Sequence, residues 1–125
     1  MKKIIFSENA PKPIGPYSQA VSVGNLVFLS GQIGIDPKTG NLVTGGIVAE
    51  TRQVMNNIRA VLAEANLTFE NIIKVTIFLS NLADFAEVNQ IYSEFFPKDF
   101  PARSTVGVQA LPKGAKVEIE VIAHR

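Results

Sequence analysis

Hydrophobic residues recur along this chain in two rhythms. From residue 47 to 67 the spacing is helical: Val48, Thr51, Val54/Met55, Ile58, Val61/Leu62 and Ala65 fall every three or four residues. Thr44-Gly45-Gly46 leads into this helix and Asn66 is suited to end it. Glu50, Arg52, Asn56, Arg59 and Glu64 fall mostly off the stripe and read as a solvated face. A second helical stripe runs through Phe85, Val88, Ile91/Tyr92 and Phe95/Phe96, with Asn81 or Asp84 to cap it and Pro97 to stop it. Asn89 lies beside that stripe, where a surface amide is the ordinary reading.

The other rhythm belongs to strands. Residues 4–6 are a short apolar run suited to a sheet edge, and 18–23 and 26–30 form a hairpin about Gly24-Asn25. Leu26–Leu29 is apolar at every position, which predicts a strand covered on both faces. Residues 72–80 are the strongest strand signal, and Phe100-Pro101 leads into another strand at Arg103. Residues 117–123 alternate: Val117, Ile119, Val121 and Ala123 point one way, Glu118, Glu120 and Ile122 the other. The order β, β, β, α, β, α, β, β predicts one α+β domain over residues 1–125, a mixed six-stranded sheet with both helices on one face. Two helices leave the other face bare, so a symmetric oligomer is expected to bury it.

Composition narrows the chemistry. Twelve Lys and Arg against eleven Asp and Glu leave a net charge of +1, too balanced for nucleic acid or a membrane to be the expected partner. The chain has no Cys and a single His, which rules out disulfides, thiolate catalysis and Cys/His zinc sites. No carboxylate cluster has calcium-loop spacing, so no metal or cofactor is expected. His124, near the C-terminus, reads as a frayed residue rather than a catalytic base. The apolar run after Lys2-Lys3 is too short for a signal peptide, and no run approaches membrane-spanning length, so the expected location is cytoplasmic.

What remains is an arginine and carboxylates set among strand residues. Such charges are unfavourable there unless paired or put to use. Arg103 is suited to bidentate capture of a carboxylate, and Glu118 or Glu120 to holding a water or accepting its proton. The loop with Pro11, Pro13, Gly15 and Pro16 is stiff and delivers Tyr17, which read alone is a packing residue with its hydroxyl at the surface. Gly31, after Ser30, either ends its strand or lets backbone approach a ligand closely. This set suits hydrolysis of a small acid that is already electrophilic, not of a stable amide or ester.

Five motifs, I-G-P-Y-S-Q-A-V at 14–21, S-G-Q-I-G at 30–34, F-A-E-V-N-Q-I-Y at 85–92, P-A-R-S-T-V at 101–106 and V-E-I-E-V-I-A at 117–123, resemble the RidA/YjgF/YabJ family in order and spacing. The resemblance implies a chorismate-mutase-like fold, a homotrimer with sites in the clefts between subunits, and a central position for the last strand. It implies hydrolysis of reactive 2-imino acids to 2-keto acids and ammonia, which protects pyridoxal-phosphate enzymes. It places Arg103 on the substrate carboxylate and Glu118, rather than Glu120, on the attacking water. Tyr17, Ser30, Gly31 and Asn89 would line the cleft, and the backbone N–H of Thr105 would assist at the carboxylate. The alternative it carries is a regulatory or chaperone-like small-ligand-binding module, or a weak endoribonuclease. Thr105 stands where many relatives have Cys, and Gly107 where they have Glu.

Overall fold

The computed structural model describes residues 1–125. Six strands, β1 (Lys3–Ile5), β2 (Ala20–Val23), β3 (Leu26–Gln32), β4 (Ile72–Leu79), β5 (Ala102–Gly107) and β6 (Val117–His124), form one sheet in the order β1-β2-β3-β6-β4-β5. All pairs are antiparallel except β4 with β5. The mixed sheet expected from the sequence is therefore present, and the last strand lies inside it, between β3 and β4. β1 is an edge strand, as its length suggested.

Helix α1 (Gly46–Glu64) starts after Gly45 at φ 116°, which only glycine adopts without strain. It ends at Asn66, left-handed at φ 61°, with the Leu67 N–H returning to the Leu62 carbonyl. Val54, Met55, Ile58, Val61 and Leu62 are buried along it, each such burial contributing about 1.5–3 kcal/mol. Helix α2 (Phe85–Glu94) follows a single 3-10 turn that Asn81 caps by accepting from the Ala83 N–H. Val88, Tyr92 and Phe96 join the α1 stripe, and together they meet Val27, Leu29, Val75, Ile77, Val117, Ile119 and Val121 in one core. Both helices thus pack on one face of the sheet. No helix is long and apolar enough to cross a membrane.

Several expectations need correction. The face of β3 that carries Phe28 is not covered within the chain; Phe28 is 38% exposed because no second layer stands there. Val48 lies outside the buried stripe and Glu50 inside it, a shift of the apolar arc around α1. Phe85, expected in the core, is 41% exposed at the start of α2. Ser18 and Gln19 precede β2 instead of pairing in it. His124 is not frayed: it pairs with Leu26, and its carbonyl accepts from Asn71 Nδ2 at 3.0 Å.

Candidate functional site

The register across the sheet sorts the candidate residues. Ala20, Leu29, Val121, Val75 and Arg103 stand in one cross-strand row, and Ile119, Ile77 and Thr105 in another. Both rows face the helices, since their apolar members are buried in the core. Side chains alternate along a strand, so Phe78 and its partners Glu118 and Val106 point to the bare face.

On the bare face, a cleft of about 300 Å³ is lined by Lys12, Ile14, Tyr17, Ser30, Gly31 and Glu118, among others. The register of β3 against β6 shifts between Leu29 and Gln32, a bulge that carries Ser30 and Gly31. Gly31 has no room for a side chain: a Cβ there would fall onto Oε2 of Glu118. The Ser30 hydroxyl donates to the Ser18 carbonyl at 2.6 Å, tying the bulge to the segment after Tyr17. Tyr17 is 48% exposed, and its hydroxyl accepts from the Ile14 N–H at 3.3 Å. Burial pushes the Glu118 carboxyl above the usual range, and the neighbouring Glu120 adds to the shift. Such a carboxylate is a better proton acceptor than one in free water.

On the helix face, Arg103 lies against two aromatic rings. Its guanidinium carbon is 4.9 Å from the centroid of Tyr92 and 5.7 Å from that of Phe85. Phe85, Asn89 and Tyr92 fall at i, i+4 and i+7, on one side of α2, so Asn89 stands between the two rings. The chain's one salt bridge is Arg52–Glu94, so no carboxylate of the chain pairs with Arg103. Contact with ring faces holds a guanidinium while leaving its edge N–H groups free for a carboxylate. Tyr92 Oη and Thr105 Oγ1 are both buried without a hydrogen-bond partner. Burial raises the Tyr92 phenol to about 12 against the opposing pull of Arg103, so it stays protonated.

The seven residues singled out in the sequence therefore form two groups. Tyr17, Ser30, Gly31 and Glu118 meet in the cleft; Asn89, Arg103 and Thr105 gather on the far side of the sheet. Within one chain the groups do not meet. Sequence reasoning missed the residues that shape the cleft. Buried Gln19 accepts from the Ser7 N–H at 2.6 Å and donates to the carbonyls of Ser7 and Pro11, folding the proline loop into a wall. Buried Asn57 donates to the carbonyls of Ile33 and Ile35. Glu50 accepts from the Lys116 N–H. Their signal was polar type in apolar context, visible for Gln19 beside Ala20 and hidden for the other two by the helical pattern.

Fold and geometry together define a small α+β protein with a cleft holding a glutamate on one face of its sheet and an arginine stacked on aromatic rings on the other. The family model described as Endoribonuclease L-PSP matches residues 7–125, and the chain belongs to this family, which is the RidA/YjgF family that its motifs resemble. The 2-iminobutanoate/2-iminopropanoate deaminase of Dermatophagoides farinae is 52% identical over 121 residues, 97% of this chain and 94% of its own. Among solved structures, a Yersinia pestis protein of unknown function from the conserved Rid family has a TM-score of 0.98 at 52% identity, with all of both chains covered. TdcF of E. coli, solved with bound serine, has a TM-score of 0.94 at 43% identity over 98% of each chain.

Proposed function

We propose that this protein hydrolyses small 2-imino acids to 2-keto acids and ammonia, in clefts shared between the subunits of a homotrimer. The observation that carries the reading is the separation of Arg103 from Glu118. Each has half of a site and lacks the other half, and a neighbouring subunit on the bare face would supply it. Exposed Phe28 and Val106 on that face give such a neighbour apolar surface to bury. Relatives named as 2-iminobutanoate/2-iminopropanoate deaminases supply the substrate class, and the amino acid in TdcF is a small carboxylate ligand of the same size.

In this reading Arg103 takes the substrate carboxylate by its free N–H edge, with Asn89 and the Thr105 backbone beside it. Glu118 of the adjoining subunit orients a water toward the imine carbon and accepts a proton as the C–O bond forms. The carbinolamine then collapses: the nitrogen receives that proton back from Glu118, the C–N bond breaks to release ammonia, and the hydroxyl gives its own proton to the freed carboxylate as the C=O bond forms. The overall balance is imine plus water giving ketone plus ammonia. A protonated imine is electrophilic enough that positioning and electrostatics suffice. Scavenging of such intermediates would spare pyridoxal-phosphate enzymes. RNA cleavage is the weaker reading, since the net charge is only +1 and the cleft carries a carboxylate that repels phosphate.

The test is keto-acid formation in a coupled assay with a threonine dehydratase. Wild-type protein should accelerate release of the keto acid, and Arg103→Ala should not. Acceleration that survives Arg103→Ala undiminished would sink the assignment.

A further inference from the structure

Glu50 takes no part in the reaction above, yet it is the one buried carboxylate of the chain, only 4% exposed. A carboxylate in such a place is unfavourable unless its interactions compensate. Its side chain makes one hydrogen bond, accepting from the Lys116 N–H at 2.8 Å across 66 positions of sequence. The Lys116 carbonyl in turn accepts from the Ser80 N–H at 3.2 Å. The residue just before β6 is thus gripped on both sides, and Glu118 is two residues further on.

We propose that Glu50 is a positioning residue that fixes the place of Glu118 in the cleft through the backbone of Lys116. The inference rests on the reading that Glu118 holds the attacking water. The other restraints at this end of β6 are the burial of Ala115 against Ile33 and Ile35 and of Val117 in the core. The ladder with β4 begins only at the Leu79–Val117 pair. Before it comes the turn at Pro112–Gly114, with Lys113 at φ 58° and Gly114 at φ 70°, outside any sheet. Glu50 also meets the opposite wall of the cleft. A Cβ on Gly34 would lie 3.0 Å from both Cα and the carbonyl oxygen of Glu50, so the Ile33–Ile35 segment packs directly on the helix there. Asn57, two turns along α1, holds the Ile33 and Ile35 carbonyls. One side of α1 therefore sets the distance between the wall at Ile33–Ile35 and the strand that carries Glu118.

The test compares Glu50→Gln, which keeps an acceptor at the same reach, with Glu50→Asp, which withdraws it, and Glu50→Leu, which removes it. In folded protein, Asp and Leu should lower kcat about tenfold or more, since small misplacement of a reacting group has effects of this size. KM should move less than about twofold, because the Arg103 that shares the cleft belongs to the adjoining subunit and rests on that subunit's own aromatic rings, and Gln should restore the rate. A second readout needs no turnover: the Glu118 carboxyl, followed by 13C NMR, should titrate closer to an ordinary glutamate in Asp and Leu than in wild type and Gln. If Leu does not fold, Asp decides. Unchanged kcat and unchanged Glu118 titration in a folded Asp or Leu variant would overturn the proposal, and so would a Gln variant as impaired as Leu. Should wild type prove inactive on imines, the function assignment fails by itself and the titration still decides the role of Glu50.

Discussion

Arg103 and Glu118 lie two strands apart on opposite faces of one sheet. β4 stands between their strands, and the row containing Arg103 faces the helices while Glu118 faces away. A ligand held by both must touch two copies of the chain. Arg103→Ala and Glu118→Gln should each be inactive, yet denaturing the two together and refolding them should restore activity. With random mixing in a closed ring, roughly one quarter of the clefts pair an intact arginine with an intact glutamate. No recovery in the mixed assemblies would mean that the two residues do not share a cleft.

Gly31 is required by Glu118. Gly31→Ala puts a methyl group where the carboxylate lies, so either the bulge or Glu118 has to move. Activity should fall by about 100-fold, the scale of effect expected from displacing a reacting group by an ångström. Circular dichroism and oligomer mass should match wild type. Full activity in Gly31→Ala would show that Glu118 need not stay where it is.

Glu118 should also make stability depend on pH. Its folded pKa is raised by burial and by Glu120, so folding favours the protonated form. Below about pH 4 both states are protonated and nothing is lost. As pH rises through the raised value, the unfolded chain releases its proton first and stability falls. Glu118→Gln should therefore melt higher than wild type near neutral pH and no higher in acid. Activity should run the other way, rising with pH as the carboxylate ionises. A melting difference that is constant with pH would contradict this.

The aromatic support of Arg103 can be dissected at Tyr92. Tyr92→Phe keeps the ring and removes a buried hydroxyl that has no partner, so stability should stay level or rise by about 1 kcal/mol in urea melts. Tyr92→Leu removes the ring face under the guanidinium. KM should rise several-fold, in line with the roughly 0.5–2 kcal/mol of a cation–π contact, with kcat less affected. Equal kinetics for Phe and Leu would show that the ring does not hold Arg103.

Gln19→Leu should be strongly destabilising. It deletes the acceptor for the Ser7 N–H and the donors to the Ser7 and Pro11 carbonyls, leaving buried backbone groups unpaired at about 1–3 kcal/mol each. A thermal melt within a degree or two of wild type would mean that the loop finds other partners.

The fold was largely legible because its elements follow periods that packing enforces. Alternation from Val117 to Ala123 marked one face of β6 as core, and Val54 through Leu62 marked the inner face of α1. What periodicity could not show is pairing between distant segments. That Arg103 shares a row with Val75 and not with Glu118 depends on β5 running parallel to β4, which no local pattern encodes. Glu50 was misread for a related reason. A glutamate on a helix is ordinarily solvated, and its burial depends on Lys116, 66 residues away. Phe85 failed in the opposite sense: its spacing fits a core stripe, but it is the first residue of α2, half-exposed, with its ring 5.7 Å from the Arg103 guanidinium carbon.

Gly107 and Leu82 constrain each other in the same manner as Gly31 and Glu118. A Cβ at 107 would lie 2.9 Å from Cγ of Leu82 and 3.1 Å from Cδ1, so the branched side chain on the turn before α2 occupies the space above the end of β5. Leu82 is 54% exposed, so it can turn away into solvent when a side chain is placed at 107. The two positions are therefore coupled through the rotamer of Leu82: a residue grafted at 107 sets which way that leucine lies, and shortening the leucine to alanine should make the graft easier to accept.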